Sequence, residues 1–261
     1  MVHVSSMLRP LLAIARSGFR LCFCCAVVLS CFGLQAQENC NVEVKLLLSA
    51  AETQAAVRAF RGTKETPGRI YFFDTDKLEL LSQGAIVRLR QGAKSDLTIK
   101  FRPPNGKKLL AATEGGNDFK CEVDLTGNGA ISSYSVTTPL AAVELPQTGT
   151  DVSHLLSSAQ IKLFEDAHVS IDWSRVKKVA EVTATAWRTQ SQPHLGKLTL
   201  ELWEWPGGKV LELSTKVSSD AGSSAYTKLQ QLVNAKQLAM SADQRVKTSI
   251  ALEAIAHAAP H

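Results

Sequence analysis

Polar and apolar residues alternate along much of the chain after residue 40, which is the two-residue period of a β-strand with one buried face. Glycine, proline and asparagine separate the alternating segments. The pattern predicts strands at residues 41–47, 69–74, 85–91, 96–102, 119–125, 179–189, 197–205 and 209–217, with residues 167–173 as a further candidate. Residues 103–118 are typical of a long loop, and residues 126–150 show little pattern.

Other segments carry apolar residues at the spacing of a helix face. They predict helices at residues 50–60, 77–81, 152–164, 222–238 and 242–256. Ser49 and Glu52 form a capping-box pattern before the first helix, and Ser241 precedes the last. Mostly adjacent strands with helices outside them favour an α+β fold. With about eight strands in the count, we expect an antiparallel sheet that is closed or nearly closed on itself, with the helices packed outside.

Five of the predicted strands repeat polar or charged residues on one face. The pairs are Glu43 with Lys45, Arg88 with Arg90, Lys100 with Arg102, Glu122 with Asp124, and Glu212 with Ser214. Any one pair is typical of the solvated face of a two-layer sheet. If the sheet curls, the same faces line a charged interior. Basic side chains would then hold phosphate oxygens, and carboxylates would hold divalent cations.

The first 36 residues have the composition of a secretory signal peptide. Three arginines precede an uncharged apolar run at residues 21–34, and the small residue Ala36 follows. The run is shorter than the roughly 20 apolar residues of a membrane span. We expect cleavage, which leaves residues 37–261 as one secreted or periplasmic domain. A retained anchor and a lipoprotein attached through Cys31 are the alternatives.

Cleavage changes the cysteine count and the charge. Of six cysteines only Cys40 and Cys121 remain, and in an oxidising compartment they are candidates for a disulfide. Each precedes an inward-facing residue, so both point outward and can bond if their strands are neighbours. The mature part has 26 basic and 24 acidic residues. This balance argues against bulk attraction to nucleic acid or to a membrane surface.

The polar faces belong to motifs that resemble those of the CYTH, or triphosphate tunnel metalloenzyme, superfamily. Residues 41–45 (NVEVK) are similar to its ExExK signature. Residues 71–90 resemble its strand, short helix and RxR strand, and residues 96–102 its next strand. Residues 209–217 and 244–252 resemble its closing strand and final helix. The resemblance implies an eight-stranded antiparallel tunnel that binds triphosphate compounds with Mg²⁺ or Mn²⁺.

The resemblance also implies roles for individual residues. The catalytic residues would be Glu43, Lys45 and Glu212. The phosphate ligands would be Lys45, Arg88, Arg90, Lys100, Arg102 and Arg188. The metal-binding carboxylates would be Glu43, Glu122, Asp124, Glu201 and Glu212.

Three positions depart from the superfamily pattern. Asn41, Trp203 and Ser214 stand where similar sequences carry carboxylates. Amide and hydroxyl oxygens are weaker ligands for a hard cation than carboxylates, and tryptophan offers no oxygen. In phosphoryl transfer the metal orients the attacking water, so these changes should reduce turnover more than binding.

Two functions remain open on the sequence alone. One is a metal-dependent triphosphatase that acts on inorganic or organic triphosphates outside the cytoplasm. The other is a catalytically impaired module that binds polyphosphate or another polyanion. A barrel adapted to a different small ligand is a third possibility, and scarce extracellular ATP argues against an adenylate cyclase. The sequence has no HExxH, GxSxG, Walker or GxGxxG motif.

Overall fold

The computed structural model describes residues 40–93, 95–104, 109, 119–141 and 151–258. The predicted signal peptide and most of the predicted loop at residues 103–118 lie outside these ranges. Within them, no helix has both the length and the apolar character needed to cross a membrane.

The described ranges contain ten strands and five α-helices. The strands are β1 (Asn41–Leu48), β2 (Thr63–Lys64), β3 (Gly68–Asp74), β4 (Ala85–Gln91), β5 (Ser95–Phe101), β6 (Phe119–Thr126), β7 (Gly129–Leu140), β8 (Lys177–Gln192), β9 (Gly196–Trp205) and β10 (Gly208–Val217). The helices are α1 (Thr53–Phe60), α2 (Glu79–Ser82), α3 (Ser158–Asp166), α4 (Gly222–Ala235) and α5 (Lys247–Ala258).

Nine of the described strands form a closed barrel. Their order is β8-β3-β4-β5-β7-β6-β1-β10-β9, and pairing of β9 with β8 completes the ring. The short β2 pairs with β8 outside the ring. Neighbours in the ring are antiparallel except for β1 and β6, which run parallel. One parallel pair is required, because alternating directions cannot close around an odd number of strands.

The prediction of eight strands was therefore wrong by one. The missing strand is β7, within the stretch that showed little pattern. Its inward positions include Ser135 and Thr137, which line the interior, while Tyr134 and Val136 face outward. Small hydroxyl side chains give a weak alternation, which explains why the strand was not recognised. The further candidate at residues 167–173 is not a strand and instead leads into a single helical turn at Trp173–Arg175.

The helices were predicted in the right places, and α4 begins at Gly222 as predicted, but the other four helices begin later than predicted. The last helix begins at Lys247 rather than at residue 242. Ser49 makes no capping hydrogen bond. Glu52, its expected partner, instead accepts a hydrogen bond of 2.8 Å from the amide of Ala239. The predicted capping box was wrong because Glu52 is used to hold the segment that leads to α5.

Two apolar clusters cover the outside of the barrel. The outer faces of β1, β9 and β10 pack on α1 and α4, and Leu46, Leu213 and Leu229 are fully buried there. The outer faces of β3, β4, β5 and β7 pack in the same way on α3, around Leu89 and Leu163. Each such side chain contributes about 1.5–3 kcal/mol on burial. These contacts fix which face of every strand points inward.

A third apolar cluster fills one end of the interior. It contains inward-facing residues such as Leu47, Ile86 and Trp203, and it includes Ala251 and Leu252 of α5. Both α5 residues are almost fully buried. This end of the barrel is therefore closed by a helix packed on inward side chains, and the polar part of the interior lies beyond it.

The predicted disulfide is confirmed. Cys40 is bonded to Cys121, with their Cα atoms 4.9 Å apart. The bond joins β6 to the residue before β1, where the two strands pair with Asn41 opposite Glu122. It therefore links the two strands of the parallel pair, across 81 positions of sequence.

Candidate functional site

The polar part of the barrel interior is a cavity of about 650 Å³. This volume lies within the range of roughly 300–1,000 Å³ that is common for small-molecule sites. Ten of the eleven predicted site residues line it: Glu43, Lys45, Arg88, Arg90, Lys100, Arg102, Glu122, Arg188, Glu201 and Glu212. The convergence predicted from the alternating strands is thus present in the structure. The exception is Asp124, which lies behind the cavity wall.

Asp124 is completely buried and binds three cations of the wall. Its carboxylate lies 2.8 Å from the ammonium of Lys45, 3.1 Å from that of Lys100 and 2.9 Å from the guanidinium of Arg102. We call these four residues the Asp124 cluster. Burial alone would raise the pKa of Asp124, but the three cations outweigh it and hold that pKa well below its usual range. Asp124, predicted as a metal ligand, therefore positions the basic residues.

The single carboxylate of Asp124 does not neutralise three cations, so the Asp124 cluster keeps an excess of positive charge. This excess affects the pKa of Lys100. Burial, followed by repulsion from Arg102, lowers the pKa of Lys100 to about 8. The pKa of Lys45 is instead raised, because Asp124, Glu212 and Glu43 together outweigh the effect of burial. An anion entering the cavity would relieve the crowding of positive charge around Lys100.

Arg88 adds a further cation with no carboxylate bound to it among the described residues. Its terminal nitrogen donates a 3.3 Å hydrogen bond to the hydroxyl of Thr98. Its Nε and the Nη1 of Arg102 are buried and have no hydrogen-bond partner within the described part of the chain. Burial, followed by repulsion from Arg90, lowers the pKa of Arg88 to about 10. Buried donors without partners are costly, so these groups are available to an anionic ligand.

The other two predicted phosphate ligands lie nearer to solvent. Arg90 is 3.4 Å from Asp96, and Arg188 is 2.8 Å from Glu65. Their side chains are 45% and 58% exposed, so their ion pairs are weak and exchangeable. Both line the cavity, but they contribute less than Arg88 and the Asp124 cluster.

The carboxylates on the β1 side of the cavity are also paired with lysines. Glu43 lies 3.1 Å from Lys45, and Glu122 forms an ion pair with Lys216. Burial raises the pKa of Glu43, but Lys45 and Lys216 outweigh this and lower it. Both carboxylates therefore neutralise cations of the wall.

Lys247, in the first turn of α5, contacts the remaining two predicted metal ligands. Its ammonium bonds Glu201 of β9 and lies 2.7 Å from Glu212 of β10. It also lies 4.7 Å from the ring centre of Trp203, a cation–π distance. Burial opposes ionisation of Glu201, but Lys247 outweighs it and lowers the pKa of that carboxyl to about 2.

Lys247 was missed by sequence reasoning, although a signal was present. It is followed three and four residues later by Ile250 and Ala251, so a lysine stands on the apolar face of an amphipathic helix. Three further lysines of the wall were also missed, Lys120, Lys197 and Lys216, all at its exposed end. Each lies on an inward position of a strand that was predicted correctly.

The residues present do not fit a bound Mg²⁺ or Mn²⁺ in this arrangement. Proteins usually bind Mg²⁺ through one or two carboxylates together with phosphate oxygens of the substrate. Glu201 and Glu212 would be such a pair of carboxylates. The ammonium of Lys247 already binds both. Across the described residues, no three His, Cys, Asp or Glu side chains gather closely enough to hold a metal. The predicted metal dependence stays a prediction that this geometry does not support.

The three departures from the superfamily pattern have different positions. Asn41 is exposed, whereas Ser214 and Trp203 are buried in the wall of the cavity. Trp203 packs against Phe72 with ring centres 5.8 Å apart, and it lies beside Lys247. An apolar ring therefore occupies the place where a carboxylate was expected.

Comparison with solved structures identifies relatives of this fold. A protein from Hippeastrum, described as an adenylyl cyclase candidate with a dominant triphosphatase activity, superposes with a TM-score of 0.60 at 17% identity. The match covers 81% of this chain and 94% of that one. An adenylate cyclase candidate from Bacillus halodurans superposes with a TM-score of 0.52 at 16% identity, covering 81% and 97%. No protein-family model and no curated protein sequence matches the chain.

Proposed function

We propose that this chain, which has the triphosphate tunnel fold of the CYTH proteins, binds triphosphate or polyphosphate compounds in its cationic cavity. One observation carries the proposal. Three cations, Lys45, Lys100 and Arg102, share one buried carboxylate, that of Asp124. The partly buried Arg88 faces the same cavity. The cluster is held in place before a ligand arrives and keeps a surplus of positive charge.

The charge of the whole cavity agrees with an anionic ligand. Of the described residues that line it, ten are basic and five are acidic, an excess of five positive charges. Asp124, behind the wall, reduces the excess to four. A compact anion with several negative charges would neutralise this excess, whereas orthophosphate would neutralise only part of it. Enclosed sites of low dielectric strengthen such pairing.

Hydrolysis is the second activity to be considered, because the Hippeastrum relative is described as having a dominant triphosphatase activity. Positioning and neutralisation of charge supply most of the catalysis of phosphoryl transfer, and this cavity offers both. However, the carboxylates expected to hold the metal are engaged with lysines. We therefore propose binding as the main function and expect slow turnover or none.

The disulfide supports a location outside the cytoplasm. Disulfides persist in oxidising compartments and are rare in the cytosol. Together with the signal-peptide composition of the first 36 residues, the bond between Cys40 and Cys121 is consistent with a secreted or periplasmic protein. Its ligand would then be a triphosphate or polyphosphate of that compartment.

Calorimetric titration of the purified protein with sodium tripolyphosphate tests the proposal. We expect saturable binding with one ligand per chain, and much weaker binding of orthophosphate. Arg88→Gln should weaken tripolyphosphate binding about tenfold or more, because a hydrogen bond to a charged group contributes about 1.5–3 kcal/mol.

Lys209→Gln provides the matched control, since it removes one positive charge from the exposed outer side of β10. Its affinity should stay within about twofold of the wild type. Equal weakening by both substitutions, or no saturable binding at all, would overturn the proposal. Orthophosphate release from tripolyphosphate can be measured with the wild type and with Lys45→Ala. If the wild type releases it no faster than the variant, binding occurs without turnover.

A further inference from the structure

Lys247 is placed by an element that enters the barrel. The helix α5 begins at this residue, and its next buried positions, Thr248, Ala251 and Leu252, anchor it against the inner ends of the strands. The ammonium is thus fixed by the fold. It contacts two carboxylates on neighbouring strands, Glu201 and Glu212, which lie opposite each other in the β9–β10 register.

We propose that Lys247 serves as a built-in cation in place of a divalent metal, so that the cavity binds its anion without Mg²⁺ or Mn²⁺. This inference rests on the proposed function for the identity of the anion. The ammonium bridges Glu201 and Glu212 and offsets one of their two negative charges, which reduces their repulsion of phosphate. Lys247 itself lines the cavity and adds to its positive wall.

The contacts of Lys247 leave little room for exchange with a metal. A free metal ion would have to displace the ammonium of Lys247. Because this ammonium is covalently part of the chain, its effective concentration at the two carboxylates is always high, which disfavours exchange. The ring of Trp203 covers one side of the ammonium and provides no oxygen ligand.

Charge balance explains why a single lysine is sufficient. Glu201 and Glu212 carry two negative charges, and Lys247 offsets one of them directly. Lys45 lies opposite Ser214 in the β1–β10 register, two positions from Glu212 on the same inward face of β10, so Lys45 offsets part of the second charge. With this shared pairing the β9–β10 side of the cavity no longer repels a polyanion.

The first test measures metal binding without any phosphate ligand. Electron paramagnetic resonance of Mn²⁺ detects loss of the free ion on binding. The wild-type protein should leave Mn²⁺ free, whereas Lys247→Ala exposes two carboxylates and should bind Mn²⁺ at least about tenfold more tightly. Lys247→Met keeps the packing of the side chain and should behave in the same way. Lys209→Met, on the outside of β10, should match the wild type.

The second test titrates tripolyphosphate into the wild-type protein in the presence of EDTA. We expect binding to be retained, and Lys247→Met to weaken it in EDTA. Binding that appears only when Mn²⁺ is added would overturn the built-in cation and leave the proposed function intact. Absence of binding in both conditions would overturn the proposed function itself. Equal Mn²⁺ affinity of the wild type and both Lys247 variants would also overturn the inference. This metal titration contains no phosphate, so its result does not depend on the proposed function.

Discussion

The carboxylate of Asp124 lies 2.8 Å from the ammonium of Lys45, on two strands that form the one parallel pair among the described strands of the barrel. In that pair Asp124 stands opposite Glu43, two residues before Lys45. The parallel register therefore places an acidic residue beside the lysine of the ExExK-like motif. Since the odd number of strands requires such a pair, the topology and the charge arrangement of the site are connected.

Removing the charge of Asp124 should be strongly destabilising. In Asp124→Asn three cations, of which Lys45 is buried and Lys100 and Arg102 are partly buried, lose their shared buried partner, and breaking a buried pair in this way costs about 3–5 kcal/mol. Urea unfolding of the wild type and the variant measures the difference. Asp166→Asn, which breaks the more exposed pair with Lys162 on α3, should cost only about 0.5 kcal/mol. Similar losses in both variants would show that the Asp124 cluster has no special role.

The affinity for tripolyphosphate should depend on the protonation of Lys100. The pKa of this lysine is lowered to about 8 by burial and by Arg102, so its ammonium loses its proton as pH rises through that value. A bound anion favours the charged form and raises this pKa, so affinity decreases from pH 7 to pH 9. Lys100→Arg stays charged across this range and provides the comparison at each pH, which cancels ionisation of the ligand itself. Parallel pH profiles of the two proteins would contradict this assignment.

Gly84 should be required for the position of Arg102. Its φ of +83° lies in the region that favours glycine, and an added Cβ would lie 2.1 Å from the carbonyl oxygen of Arg102. Gly84→Ala should lower the free energy of unfolding by at least about 1 kcal/mol more than Gly129→Ala. At Gly129, also at positive φ, an added Cβ meets nothing within 4 Å. Thermal unfolding of both variants provides the measurement, and equal losses would show that the contact with Arg102 is unimportant.

The disulfide should contribute to stability through the loop it closes. Replacing Cys40 and Cys121 by serine should cost about 2–5 kcal/mol, because the unfolded chain regains the freedom of an 81-residue separation. Urea unfolding of the double variant, compared with the untreated wild type, measures this difference. The wild type treated with a reducing agent should unfold at the same urea concentration as the double variant. Two reactive thiols in the untreated folded protein would refute the bond.

Much of the fold could be predicted because the strands alternate between apolar and charged residues. The alternation placed Lys45, Arg88 and Lys100 on polar strand faces, the expected closing of the sheet placed those faces in one interior, and the structure brings the three residues to the same cavity. The resemblance to the CYTH proteins is confirmed at the level of the fold. The strand β7 was missed because its inward positions carry serine and threonine, which give little contrast with a loop.

The pairing of charges could not be predicted. The alternation of side chains along a strand places Asp124 and Glu201 on inward faces, but it does not predict the cation with which each carboxylate forms an ion pair. Asp124 was assigned to a metal, yet it binds the wall cations, and Lys247 reaches Glu201 from a helix 46 positions away in sequence. Such partners depend on how the last helix packs into the barrel, which no local pattern records.

A crystal structure of the protein with bound tripolyphosphate tests the central claim most directly. We predict a phosphate chain inside the barrel, with oxygens within hydrogen-bond distance of Arg88 and of Lys45, on the side of the cavity away from the apolar cluster around Leu47 and Leu252. A cavity that contains only water, with the phosphate chain bound to lysines of the outer surface, would contradict the account.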